Sequence, residues 1–216
     1  MSIQDELTDR ATLRATLAEV VATAFLTLAA LLSGGPFAVG LVLMVFVFAI
    51  GVISGGLLNP AVAVGLVVAR QISIVRGVLL IIGEVVGALI ALALAPLIHP
   101  LAPFYTAASP GGEFFGFGIL MLAVLATFGG YLPRAASGLT VGGGLLAGLL
   151  TTGGILNPAV ALAMGVAAVS PWAIWAPILS ALVFAAIFRG FAAFNAAPPL
   201  RQVEAPPTEL PARHAA

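Results

Sequence analysis

The tripeptide Asn-Pro-Ala occurs twice in this chain, and each copy opens an apolar segment that is too short to cross a bilayer. The copies begin at Asn59 and Asn157, and the segments cover about 59–69 and 157–167. Asparagine is favoured as the N-cap of a helix and proline as its first residue. A membrane-spanning helix needs roughly 17–25 apolar residues. We therefore expect two short helices that enter a membrane without spanning it, each preceded by an irregular loop.

The rest of the chain is apolar enough to lie in a membrane. Hydrophobic residues make up 62% of it and charged residues 7%, whereas soluble domains carry roughly 25% charged residues. The formal net charge is zero, which leaves no electrostatic footprint for a nucleic acid, and the lack of cysteine excludes disulfides and thiolate metal sites. The sequence predicts one all-α integral membrane domain with six transmembrane helices and two re-entrant half-helices. The six predicted spans are 14–33, 37–53, 75–97, 113–131, 136–152 and 171–194.

The arginine positions indicate how these spans are oriented. Lysine and arginine together number 8, and all of them are arginine. If both termini are cytoplasmic, the connections 34–36, 98–112 and 153–170 lie outside, and none of them contains an arginine. Every arginine is then on one side, as the positive-inside rule requires. We expect a multi-pass protein of the cell (cytoplasmic or inner) membrane, surrounded by lipid, with both termini in the cytoplasm.

The chain repeats internally. Glu19 precedes Asn59 by 40 residues and Glu113 precedes Asn157 by 44, and each glutamate opens an apolar helix. Each half then contains three spans and one half-helix. Because three is an odd number, the second half is inverted in the membrane relative to the first, as in many channels and transporters.

This repeat defines the predicted domain organisation. The membrane domain covers 14–194, with repeats at about 14–97 and 113–194. The first thirteen residues are predicted to be a cytoplasmic N-terminus. The proline-rich segment 195–216 is predicted to be a disordered cytoplasmic tail.

With these features the chain resembles the aquaporin, or major intrinsic protein, family over about residues 14–194. The resemblance rests on the paired Asn-Pro-Ala motifs within six spans. Further matching residues are Ser54-Gly55, Glu84 with Gly87-Ala88, Gly138 to Val141, Trp172, Trp175 and Pro177. The resemblance implies an aquaporin-like fold and a homotetramer with one pore per subunit, which passes water or small uncharged solutes passively. We expect no cofactor and no metal site.

The two asparagines are the best candidates for the pore chemistry. An asparagine amide offers two N–H donors and one carbonyl acceptor. If the carbonyl caps the half-helix, the NH2 group faces the pore, while the two helix N-termini raise the barrier for cations and protons. The alternative is that each asparagine is only a structural cap. The predicted pore motifs are Asn59, Pro60, Ala61, Asn157, Pro158 and Ala159.

Three glutamates, Glu19, Glu84 and Glu113, lie inside apolar spans. Ionisable residues are costly there and are functional candidates by default. One hypothesis is proton relay. The other is that each carboxylate accepts backbone N–H groups of the half-helix loops, and the family resemblance favours this second role for Glu19 and Glu113. Glu84 is equally compatible with helix packing.

The resemblance also implies a narrow filter beyond the asparagines, and there this chain departs from the family. Members commonly have an arginine directly after the second motif, where this chain has Val160. Counting along the chain places the other filter positions at Val39, Leu145 and Gly154. This predicted filter is aliphatic and uncharged, so a wide ring admits larger solutes and a narrow one gates by dewetting. The sequence leaves open whether the solute is water, a polyol, urea, ammonia or a metalloid acid such as arsenous acid.

Other classes of function fit the sequence less well than a passive channel. Secondary transporters share inverted repeats and broken helices, but coupled transport needs ionisable groups that Val39, Leu145 and Val160 do not provide. A structural membrane protein with a closed pore is a further alternative. An enzyme is disfavoured because the sequence shows no nucleophile, base and orienting acid in recognisable order. Within the channel hypothesis, a neutral-solute facilitator with little role in water transport is the alternative to a water channel.

Overall fold

The computed structural model describes residues 3–33, 35–99 and 108–194, so the predicted tail 195–216 lies outside the described residues. Five helical segments of the described part are long and apolar enough to cross a membrane: Arg10–Ser33, Ile74–Ile98, Pro110–Phe128, Arg134–Thr152 and Trp172–Ala192. Short 3-10 helices lie at Arg134–Ala136 and Val166–Ala168. The α-helices are α1 (Ile3–Thr8), α2 (Arg10–Ser33), α3 (Pro36–Ile50), α4 (Pro60–Val68), α5 (Ile74–Ile98), α6 (Pro110–Phe128), α7 (Ser137–Thr152), α8 (Pro158–Ala163) and α9 (Trp172–Phe194).

Two predicted segments are shorter in the structure than in the sequence-based prediction. Helix α3, predicted over 37–53, has 15 residues, about 22 Å at 1.5 Å per residue against roughly 30 Å of hydrocarbon. It ends at Ile50 because the chain then turns toward the first half-helix. Helix α8, predicted over 157–167, has 6 residues and stops before Gly165, whose φ of 71° is left-handed. The long helices α5, α6, α7 and α9 follow their predicted bounds to within three residues.

The segment predicted to be the cytoplasmic N-terminus contains helix α1 and the first residues of α2. Helix α2 begins at Arg10 because Asp9 caps it: its Oδ2 accepts hydrogen bonds from the N–H (2.9 Å) and the hydroxyl (3.0 Å) of Thr12. These two hydrogen bonds, of which the one from the N–H has the larger effect, hold the pKa of the Asp9 carboxyl below its usual value. Before α2, the short helix α1 is tied to the bundle by Glu6, whose Oε2 accepts a 2.6 Å hydrogen bond from the Ser73 hydroxyl.

The helices pack as an inverted repeat. Helix α2 packs on α5 in the first half, as α6 packs on α9 in the second, and α3 packs on α7 across the two halves. Each half-helix also packs against a long helix of the other half: α4 against α9, and α8 against α5. The two halves therefore share one interior, with both half-helices inside it.

Glycines allow the long helices to approach closely. A Cβ added at Gly87 of α5 would overlap the carbonyl oxygen of Val20 in α2, and one at Gly148 of α7 would overlap that of Gly116 in α6. Small residues at such crossings are the usual means of tight helix packing in membranes.

Both ends of the described chain lie on the same side of the bundle. Near the N-terminus, Glu6 is bonded to Ser73, just after the first half-helix. Near the C-terminus, a guanidinium N–H of Arg189 donates a 3.2 Å hydrogen bond to the carbonyl of Val68, at the end of that same half-helix. We call this the proximal side and the opposite one the distal side. An even number of crossings, as the sequence predicts, requires this arrangement.

Candidate functional site

The two half-helices begin at the predicted asparagines. Asn59 Oδ1 accepts a hydrogen bond from the N–H of Ala61 at 3.1 Å, and Asn157 Oδ1 accepts one from the N–H of Ala159 at 3.0 Å. Both asparagines have extended backbone, and a proline follows each at the first helical position. This is the N-cap geometry that the sequence predicts.

The asparagine NH2 groups join the two halves. Asn59 Nδ2 donates to the carbonyl of Leu156, and Asn157 Nδ2 donates to the carbonyl of Leu58, both at 2.8 Å. The expectation that each NH2 group simply faces the pore therefore needs correction, because one N–H of each satisfies a buried carbonyl of the other half. The second N–H of each amide is not used in these bonds.

Two of the three buried glutamates hold the loops that precede the asparagines. The two oxygens of Glu19 accept hydrogen bonds from the N–H groups of 57–58, at 2.9 and 2.7 Å. Those of Glu113 accept from the N–H groups of 155–156, both at 2.8 Å. This is the geometry that the backbone-binding hypothesis requires. Each oxygen of both carboxyl groups therefore already accepts one peptide N–H.

Glu84 also contacts a half-helix and is not only a packing residue of α5. Its Oε1 accepts a 3.0 Å hydrogen bond from the N–H of Asn59. Its Oε2 is buried and has no hydrogen-bond partner among the described residues. The two oxygens of this carboxyl group therefore have different surroundings, unlike those of Glu19 and Glu113.

The residue before each asparagine has an unusual backbone conformation. Leu58 has a φ of 52° and Leu156 a φ of 58°, in the left-handed region that side chains other than glycine's rarely adopt. Such a conformation persists only where the surroundings fix it. Here each leucine is fixed on both sides: its N–H donates to a glutamate and its carbonyl accepts from the opposite asparagine.

A hydroxyl group closes the turn five residues before each asparagine. Ser54 Oγ accepts from the N–H of Gly56 at 3.1 Å, and Thr152 Oγ1 accepts from that of Gly154 at 3.3 Å. Sequence reasoning noted Ser54 but missed Thr152. The shared spacing from the asparagine was the signal that could have found it.

Two cavities approach this junction from opposite sides. The distal cavity has a volume of about 170 Å³, and the proximal cavity one of about 370 Å³. Residues that line the distal cavity include Val39, Leu145, Gly154, Ile155, Asn157 and Val160. Residues that line the proximal cavity include Val47, Gly56, Leu57, Phe128, Arg134 and Val141. The structure thus brings all four predicted filter residues together around one cavity, next to the second asparagine.

Backbone carbonyl groups of both loops point away from the buried glutamates, on residues that line these cavities. In a trans peptide, the N–H of one residue and the carbonyl of the residue before it point in opposite directions, and the described chain has no cis peptide. Since the N–H groups of 155–156 point at Glu113, the carbonyls of Gly154 and Ile155 point away from it. These two residues line the distal cavity and Glu113 does not. By the same argument, the carbonyls of 56–57 point away from Glu19, and both residues line the proximal cavity.

Comparison with known proteins agrees with this architecture. A family model described as Major intrinsic protein matches residues 6–191. The chain belongs to the major intrinsic protein family. Membership supports a multi-pass membrane channel for water or small solutes, and the family consists of channels and not of enzymes.

Individual relatives within the family differ in how much of their length this chain covers. Aquaporin Z from Brucella melitensis is 30% identical over 200 residues, which are 79% of this chain and 88% of that protein. Aquaporin-1 from Canis lupus familiaris is 38% identical over 141 residues, 56% of this chain and 52% of the relative. Aquaporin-7 from Botryotinia fuckeliana is 32% identical over 159 residues, which are 63% of this chain and 34% of that protein. The chain therefore spans about half of the dog protein and a third of the Botryotinia protein.

A solved structure supports the fold. The X-ray structure of the aquaglyceroporin from Plasmodium falciparum superposes with a TM-score of 0.61, covering 83% of this chain and 95% of that one. The sequence identity is 21%, so this likeness concerns the fold alone.

The distal cavity of this major intrinsic protein has an almost entirely apolar lining. None of the described side chains that line it is charged, and Asn157 is the only polar one. The proximal cavity, in contrast, includes Arg134, Ser137 and Thr127. The two entrances to the junction therefore offer solutes different chemistry.

Proposed function

We propose that this major intrinsic protein is a passive channel that conducts water, small uncharged solutes, or both, between the distal and proximal cavities. The observation that carries the proposal is the crossed asparagine junction, which lies between two cavities and is built from both halves of the chain. Asn157 lines the distal cavity, and Leu57, two residues before Asn59, lines the proximal one.

The asparagine pair supplies the polar contacts on this path. Each amide keeps one N–H beyond the bond that crosses to the other loop, and that N–H can donate to the oxygen of a passing solute. The carbonyls of Gly154 and Ile155 on one side and of 56–57 on the other can accept hydrogen bonds from the solute. The half-helix N-termini place partial positive charge at the junction, which opposes the entry of cations.

Val39, Leu145, Gly154 and Val160 form the filter in this proposal. Their shared position around the distal cavity supports the role. With no charged side chain among them, exclusion of ions rests on dehydration in an apolar ring and on the asparagine junction.

The buried glutamates act as anchors of the half-helices. Glu19 and Glu113 each hold two successive peptide N–H groups, and Glu84 holds that of Asn59. Fixing the loops in this way orients the carbonyls toward the cavities.

The membrane placement and assembly are part of the proposal. The proximal side faces the cytoplasm, in agreement with the distribution of arginine, and the protein lies in the cell membrane. Outward-facing apolar side chains, such as Val45 at 60% exposure, meet lipid or neighbouring subunits of a homotetramer.

The test is stopped-flow light scattering on proteoliposomes exposed to an inward glycerol gradient. The early shrinkage reports water permeability and the later reswelling reports glycerol permeability. Val160→Trp should slow both phases because the larger ring fills the distal cavity. Val45→Trp is the matched control, since this side chain points out of the bundle and the variant should keep wild-type rates.

Two results would contradict the proposal. One is wild-type protein that elutes as a folded oligomer but gives traces indistinguishable from empty liposomes for water and for every neutral solute tried. The other is a Val160→Trp variant whose rates match those of Val45→Trp.

A further inference from the structure

The loop beside the distal cavity has no free hydrogen-bond donor. The N–H groups of Gly153 and Gly154 donate within the protein, at 2.9 and 3.3 Å, to the carbonyl and hydroxyl of preceding residues. The N–H groups of 155–156 donate to Glu113 at 2.8 Å. Every peptide N–H between the end of α7 and Asn157 is therefore occupied before a solute arrives.

The side chains of the filter add no donor. Val39, Leu145 and Val160 are aliphatic, and Gly154 has no side chain. The remaining N–H of Asn157, at the inner end, is the one side-chain donor among the described residues that line the cavity.

Acceptors are present at the same place. The carbonyls of Gly154 and Ile155 point away from Glu113, as the trans peptide geometry requires, and both residues line the cavity. Within the described residues, no group donates to either of these carbonyl oxygens. The distal cavity can thus accept hydrogen bonds from a solute along this loop, whereas among its described side chains only that of the asparagine can donate.

We propose that the distal cavity selects neutral solutes by the direction of their hydrogen bonds, and that it favours small N–H compounds such as ammonia, small amines and amides over polyols. The inference rests on the proposed channel function and specifies the substrate class of the same site. A solute rich in N–H donors finds partners in the loop carbonyls. A solute with several hydroxyl oxygens leaves most of them without a donor as it passes the aliphatic ring.

Urea and glycerol make this difference measurable. Urea has four N–H donors and one carbonyl acceptor, while glycerol has three hydroxyl groups, each of which is both a donor and an acceptor. An oxygen buried without a donor reduces partitioning by roughly tenfold. Since glycerol has more such oxygens, we expect the protein-dependent permeability of urea to exceed that of glycerol by about tenfold or more.

An isosteric variant separates hydrogen bonding from pore width. Val160→Thr replaces a methyl group with a hydroxyl of similar size and so adds a donor without widening the ring. Urea and glycerol permeabilities are measured by stopped-flow light scattering on proteoliposomes that contain the full chain, with the leak of empty liposomes subtracted. The urea-to-glycerol ratio should fall several-fold in Val160→Thr. Val45→Thr, outside the bundle, should leave the ratio unchanged, and Val39→Thr repeats the test from the opposite wall if Val160→Thr does not fold.

The outcomes separate this proposal from the channel function. A ratio near one in the wild type overturns the selectivity while leaving a working channel. A high ratio that neither threonine variant changes also overturns it, because size would then explain the preference for urea. Folded wild-type protein that passes neither solute nor water overturns the channel function itself, and with it this inference.

Discussion

Asn59 and Asn157 each donate a 2.8 Å hydrogen bond to the backbone carbonyl of the residue that precedes the other. The two bonds connect positions 97 and 99 residues apart in the chain. The half-helices are consequently locked to each other and not only to their own halves. The same two side chains cap the half-helices, so secondary structure, contact between the halves and the polar centre of the proposed channel depend on one pair of amides.

Asn157→Asp should both destabilise the junction and admit cations. Aspartate caps a helix as well as asparagine does, so α8 is retained. The carboxylate cannot donate to the Leu58 carbonyl, and leaving that buried oxygen without a donor costs about 1–3 kcal/mol. It also adds a negative charge at the centre of the proposed channel. We expect a lower unfolding temperature and a faster cation and proton leak in proteoliposomes loaded with a pH-sensitive dye.

Asn59→Asp is the symmetric counterpart and should behave similarly. Glu84 accepts from the N–H of Asn59, so the new carboxylate lies near a second acid and the loss of stability should be at least as large. Folded variants with unaltered leak would count against the central role proposed for the two asparagines.

The left-handed backbone conformation of Leu58 and Leu156 predicts that glycine is more stable than alanine at these positions, the reverse of the order in a helix. At ordinary helical positions alanine is more stable than glycine by about 1 kcal/mol. At Leu156 both replacements lose the same buried side chain, but only glycine adopts a φ of 58° without steric cost. Leu156→Gly should therefore unfold at a higher temperature than Leu156→Ala, by the equivalent of about 1 kcal/mol.

Leu26 provides the control for this comparison. It is equally buried, at 1% exposure, and lies inside helix α2. There Leu26→Ala should be more stable than Leu26→Gly. If alanine were also preferred at position 156, the backbone strain inferred for that leucine would be wrong.

The sequence predicted the elements that depend on local signals. Apolar runs located the long helices, and the Asn-Pro pairs located both half-helix starts. The bonds from each asparagine to the opposite loop could not be predicted, because they depend on the distance between two carbonyls and two amides far apart in the chain. Leucine carries no local signal for a positive φ, so Leu58 and Leu156 were missed as well.

The four filter positions were predicted from the family resemblance, by counting along the chain from the shared motifs. The structure brings Val39, Leu145, Gly154 and Val160 to one cavity, which counting alone could not establish. Their role as a filter remains a prediction. The shortness of α3 was not foreseen because apolar residues continue to Ile53, whereas the chain leaves the helix to make the turn closed by Ser54.

The glutamates should respond differently to replacement by glutamine. In Glu113→Gln, the amide NH2 would face a peptide N–H, because both carboxylate oxygens accept hydrogen bonds from the loop. One buried N–H then loses its acceptor, at a cost of about 1–3 kcal/mol. Glu19→Gln should cost a similar amount for the same reason.

Glu84→Gln is the internal comparison for these variants. Its Oε1 can remain the acceptor for Asn59, while the NH2 group takes the place of Oε2, which has no partner among the described residues. The substitution also removes a buried ionisable group. Thermal unfolding in detergent should show Glu84→Gln at or above wild type and Glu113→Gln well below it. Equal losses in all three variants would contradict the anchoring geometry.

Val160→Arg should narrow the selectivity of the distal cavity. The arginine side chain fills space in the cavity that Leu145 also lines, and it adds a positive charge and several N–H donors where Asn157 is the only polar side chain among the described lining residues. Larger neutral solutes such as glycerol should pass more slowly, because the constriction is smaller. Water should be affected less, since the guanidinium donors replace part of its lost hydration. The measurement is the ratio of water to glycerol permeability in proteoliposomes, which should rise relative to wild type.

Val169→Arg serves as the control for the added charge. Val169 lies outside the helices and is 72% exposed, so an arginine there changes the net charge equally without entering the cavity. Its permeability ratio should equal that of the wild type. A Val160→Arg variant that folds and keeps the wild-type ratio would mean that Val160 does not line the constriction. Solute choice would then have to lie at the asparagine junction or in the proximal cavity, whose volume of about 370 Å³ makes it the larger of the two.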